Sequence, residues 1–77
     1  MSSKRWTRMW VDGKSFRVVS TESSGMNPIR VFKVLLEEDS DNPKVYLWEE
    51  QYNLSTRESR WKLMDDSEKV VCAGVSL

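Results

Sequence analysis

The chain has 77 residues, with 39% hydrophobic and 31% charged side chains, and no histidine. That length allows one domain with one thin core, and the apolar and aromatic content is too high for a disordered chain. With no histidine and a single cysteine, Cys72, a Cys/His zinc site, an internal disulfide and histidine-based acid–base catalysis are all excluded within one chain.

Lys4 and Arg5 lead into Trp6-Thr7-Arg8-Met9-Trp10-Val11, a run of strand formers followed at once by Asp12-Gly13 and then by Ser15 to Val19. Asp-Gly between two such runs predicts a tight hairpin over residues 5–19, because both central positions of a type I′ turn need positive φ. Placing Asp12 and Gly13 in the turn sets Val11 opposite Lys14, Trp10 opposite Ser15, Met9 opposite Phe16 and Arg8 opposite Arg17. Alternation then sorts Met9, Val11, Phe16 and Val18 onto a core face. Trp6, Arg8, Trp10, Arg17 and Val19 fall on the other.

After the polar stretch Thr21 to Gly25, residues 30–50 read as a second hairpin around Ser40-Asp41-Asn42-Pro43, and residues 60–75 as a third around Asp65-Asp66-Ser67-Glu68. Helical alternatives exist. Asn27-Pro28 could start a helix over residues 28–38, and a helix from Ser55 to Ala73, covering the ambiguous stretch 56–73, fits the spacing of Trp61, Met64, Glu68, Val71 and Val75. Ser55 and Glu58 also match a capping box. Strand formers and the acidic run Glu37-Glu38-Asp39 at a helix C-terminus favour strands for 28–38. The expected fold is therefore all-β, or β-rich α+β with at most one short helix. It is a single domain over 1–77, a five- or six-stranded antiparallel meander forming a partly closed barrel or strongly twisted sheet.

Residues 1–33 carry seven Lys or Arg against Asp12 and Glu22, and residues 34–77 carry five against ten acidic groups. The halves differ as +5 and −5 although the total is zero. Two candidate surfaces emerge. Lys4, Trp6, Arg8, Trp10 and Arg17 make a basic, aromatic binding surface. Glu37, Glu38, Asp39, Glu49 and Glu50 make an acidic interface suited to a basic protein. Neither acidic run has the spacing or central glycine of a calcium loop, and the glycines are too scattered to cradle phosphate, so no metal, no cofactor and no enzymatic activity are expected.

The leading reading is a small non-enzymatic regulator that acts through a protein–protein interface as an inhibitor or adaptor, since Trp, Tyr and Arg are the residues of interface hot spots. Single-stranded nucleic acid is the alternative, with Trp6 and Trp10 stacking bases and Arg8 and Arg17 holding phosphates. A structural homo-oligomer or homodimer, joined through an uncovered edge strand or a Trp-bearing face, is the second. Packing competes with all three, because Trp6 and Trp10 would also serve a small core. The opening Met1-Ser2-Ser3-Lys4 precedes no long apolar run, so the expectation is a cytoplasmic or nuclear chain that is not secreted and enters no membrane. A viral origin suits the same features.

Overall fold

Asp12 and Gly13 take φ values of 51° and 81°, the paired positive values a type I′ turn demands. They join β1 (Arg8–Val11) to β2 (Lys14–Ser24) in a computed structural model that describes residues 7–38 and 41–76. Lys4, Trp6 and Asp39 lie outside the described residues. The four pairs from Arg8–Arg17 to Val11–Lys14 hold as the turn dictates.

The chain continues as β3 (Ile29–Glu37), β4 (Val45–Tyr52), β5 (Ser59–Met64) and β6 (Val70–Ser76). Each strand pairs antiparallel with the one before it, giving one six-stranded sheet in chain order. The sheet curls into a half-barrel. Residues 28–38 are thus strand in their regular part and not helix, as are Ser59–Met64 and Val70–Ser76 within the stretch 56–73. Two side chains explain why the later stretch cannot wind. Asn53 Oδ1 accepts the backbone N–H groups of Ser55 and Thr56, and Arg57 sits at φ 62°, outside helical space. Asp65 Oδ1 accepts the N–H groups of Ser67 and Lys69, turning the acidic run into the β5–β6 connection.

Strand alternation and the cross-strand pairs divide the sheet into two faces. The concave face carries Val11, Phe16, Leu35, Tyr46, Trp48 and Leu63, all buried, with Met9, Val18, Trp61 and Cys72 packed around them. Phe16 meets Tyr46 edge to face at 5.3 Å and 72°. Trp48 stacks on Trp61 at 4.6 Å and 14°. Such pairs add about 0.5–1.5 kcal/mol beyond the area they bury.

An extra residue interrupts β2 between Val18 and Ser20. The bulge throws Val19 out of the alternation and reverses the remainder of the strand: Thr21 and Ser23 turn to the concave face, Ser20 and Glu22 to the outer one. A second bulge leaves Val71 without an opposite residue on β5. Bulges bend and twist a strand, and this sheet needs both, because the β1–β2 turn must come round toward β6. Asp12 and Lys14 reach the neighbourhood of Cys72 there, around a small hollow also lined by Phe16, Leu63 and Val71. The Cα radius of gyration is 13.5 Å, above the ~11.5 Å of a compact chain of this length. A single curved layer accounts for the excess, since nothing among the described residues packs on its outer face.

Candidate binding surface

Arg8 and Arg17 stand directly opposite each other on the outer face of β1 and β2, an arrangement that repels unless a carboxylate relieves it. Glu38, just past β3, supplies one. Its backbone N–H donates to the Ser15 carbonyl at 3.3 Å, anchoring it beside β2. Ser15 Oγ donates to Glu38 Oε1 at 3.1 Å. Arg8 Nε lies 3.4 Å from Glu38 Oε1 and Arg17 Nε 3.9 Å from Oε2. The Glu38 side chain is only 16% exposed, so this acidic residue binds the two cations inside its own chain and is not presented to solvent.

Trp10 sits next to this cluster on β1 and is 71% exposed. It is not a core residue. Of the predicted basic surface, the structure brings together Trp10, Arg8 and Arg17 and adds Glu38 and Ser15, which sequence reasoning had placed elsewhere or passed over. The signal for Glu38 was present in outline, since two opposed arginines call for an acid, but only the β2–β3 register decides which one answers.

The acidic set does not assemble into one patch. Glu37 points to the concave face, where its Oε2 accepts from Tyr46 Oη at 3.2 Å. Glu50 is also concave, accepting from Trp48 Nε1 at 3.3 Å and Ser59 Oγ at 3.1 Å. Glu49 is on the outer face, 3.9 Å from Lys62 Nζ. Alternation separates neighbours such as Glu49 and Glu50 by the thickness of the sheet, so a charge run along a strand is no guide to a charged surface.

The outer face has its own order. Cross-strand pairs align Arg8, Arg17, Leu36 and Val45 in one row, and Ser20, Val34, Leu47, Met64 and Val70 in the next. Glu22, Phe32, Glu49, Lys62 and Ala73 form a third row, and Ser24, Arg30, Gln51, Arg60 and Val75 a fourth. The second row is an apolar band crossing the sheet. On one side Leu36 and Val45 adjoin it, with Arg17 and Arg8 at the β2 and β1 end of that row, and mixed charge flanks it on the other. A hollow of about 410 Å³ opens on this face over β4, β5 and β6, lined among others by Glu49, Arg60, Lys62, Ala73 and Val75.

Two groups on the concave side titrate abnormally. Burial, then the hydrogen bond to Glu37, raises Tyr46 above its ordinary 10.0. Burial, then the charge of Asp12, raises the Cys72 thiol above 9.0. A raised folded-state pKa means the unfolded chain loses its proton first, so stability is complete below the unfolded pKa and falls as pH climbs through the folded one. The urea midpoint is therefore expected to hold up to about pH 9 and to decline as pH rises through about 10 and above, with Tyr46→Phe making the decline shallower. Equal slopes for the two proteins would count against the Tyr46–Glu37 bond as its source.

No family model, curated protein or solved structure matches this chain.

Proposed function

We propose that this domain is a non-enzymatic protein-binding module, an inhibitor or adaptor, that docks its partner on the outer face of the sheet. The observation that carries the reading is Trp10, a large aromatic held in a regular strand and 71% exposed, beside Arg8 and Arg17, whose row separates it from the apolar band of Val34, Leu47 and Met64 on the same face. Exposed Trp and Arg next to an apolar centre are the ingredients of an interface hot spot with a polar rim.

Charge indicates the kind of partner. The outer face bears Arg8, Arg17, Arg30, Arg60 and Lys62 against Glu22, Glu38, Glu49 and the Glu58 that pairs with Arg60 at 2.7 Å, a small cationic excess that suits a protein with acidic residues around an apolar patch. Glu38 also favours protein over nucleic acid. A carboxylate between Arg8 and Arg17 occupies donors that a phosphate would need, and it repels the phosphate as well.

The test is quantitative capture from source-cell lysate, after nuclease treatment, with wild type, Trp10→Ala and Leu47→Glu. The expected result is a defined protein retained by wild type and lost with both substitutions, Trp10→Ala weakening the purified pair by about thirtyfold. Retention indifferent to both changes would remove the outer face from consideration. Tight binding of a labelled single strand that fails steeply with added salt would instead establish the nucleic-acid reading.

A further inference from the structure

We propose that the free edge of β6 pairs with β6 of a second copy, forming a two-fold antiparallel dimer whose sheet runs continuously through both chains. This does not depend on the outer-face reading. The sequence of β6, Val70-Val71-Cys72-Ala73-Gly74-Val75-Ser76, contains no charge and no proline. Its valines are the largest concentration of exposed apolar side chains on any described strand, with Val70 50%, Val71 51% and Val75 62% exposed. Among the described residues, only β5 pairs with it. Edge strands are ordinarily blunted by charge, proline, shortness or a bulge. Here the one such feature is the Val71 bulge, and it leaves Cys72–Ser76 regular.

Three observations select a second copy as the occupant. An uncharged strand meets no like-charge pair when opposed to itself, which is the electrostatic requirement for isologous pairing. The chain's net charge is zero, so two copies approach without net repulsion near neutral pH. The other edge is a poor partner, because β1 has only four residues and includes Arg8. Pairing β1 with β6 of a neighbour would also propagate without closing, whereas β6 with β6 closes at two. Beside this edge the small side chain of Ala73 leaves the outer-face hollow open. A strand added to β6 lays its own side chains along the rim of that hollow, as in other strand additions.

One strand pair buries less than the 1,200–2,000 Å² of a standard stable interface, so the dimer is expected to be reversible, with dissociation in the micromolar range. Sedimentation velocity on the full chain from low micromolar to millimolar concentration should show monomer passing to dimer. Val75→Lys, at an exposed position that leaves the core untouched, places two lysines at the new seam and should weaken dimerisation at least about tenfold. Trp10→Ala should leave it unchanged, which separates failure of this proposal from failure of the outer-face reading. Amide exchange should add protection on β6 at high concentration. A monomer throughout the range, a dimer indifferent to Val75→Lys, or growth beyond two copies would each overturn the proposal.

Discussion

Gly74→Val is expected to cost about 3 kcal/mol, at or beyond the upper end of ordinary overpacking, in a domain whose whole stability is about 4–12 kcal/mol. Gly74 lies inside β6, where replacing glycine by a side chain ordinarily stabilises a strand by roughly 0.5–1 kcal/mol. Its surroundings reverse that sign. A Cβ built at Gly74 comes within 2.5 Å of Trp61 Nε1, 2.7 Å of Cε2 and 2.8 Å of Cζ2. The indole cannot retreat, because its other face is stacked on Trp48 at 4.6 Å. Trp48 is itself wedged in the core.

Even Gly74→Ala should therefore destabilise, and it should weaken the exciton signal of the stacked indoles in circular dichroism. Adding Trp61→Phe to Gly74→Ala should restore part of the loss, since the smaller ring leaves space for the methyl group. A more stable Gly74→Ala protein with its indole signal intact would show that the close packing of Trp61 on β6 does not exist.

Glu38→Ala is the second large effect expected, about 2 kcal/mol. It leaves Arg8 facing Arg17 without their shared carboxylate and leaves the buried Ser15 hydroxyl without the oxygen it donates to. Glu38→Gln keeps an acceptor for Ser15 and loses the charge, so it should cost roughly half as much. A double-mutant cycle between Glu38→Gln and Arg17→Met isolates the ionic part, expected at about 1 kcal/mol. Because Arg8 is mostly exposed, salt should screen part of that coupling. A Glu38→Ala variant as stable as wild type would mean that the three residues merely lie near one another. Removing the Glu38 charge should also let Arg8 and Arg17 attract polyanions better, so gain of oligonucleotide binding in Glu38→Ala would show that Glu38 suppresses that activity in the native chain.

The local grammar of the chain was legible. Asp12-Gly13 specified a turn, the turn specified a register, and the register put Met9, Val11, Phe16 and Val18 on one face and Arg8, Trp10 and Arg17 on the other. The three hairpins came from alternation and from polar clusters between runs. Helical spacing in Trp61, Met64, Glu68 and Val71 was coincidental; Asn53 and Asp65 decided against it by binding their own backbone in turns. Lys44 to Glu50 alternated visibly, yet which alternate set faced the core depended on whether Trp48 and Tyr46 found neighbours there. Phe16, Trp61 and Leu63 provided them from other strands.

What the sequence by itself determined was therefore short in range: the Asp12-Gly13 turn, the polar breaks between runs, and the two sides of each run up to the first bulge. Only the tertiary structure decided which sides met. It brought Glu38 across to Arg8 and Arg17, sent Glu37 and Glu50 inward, and set Gly74 beneath Trp61. It also inserted the bulge at Val19 that turns Glu22 outward. The physical reason is that strand alternation is a property of consecutive residues, whereas register between strands sums the packing of a whole face. A single inserted residue reverses every side chain beyond it, at a local energetic cost too small to announce itself in the sequence.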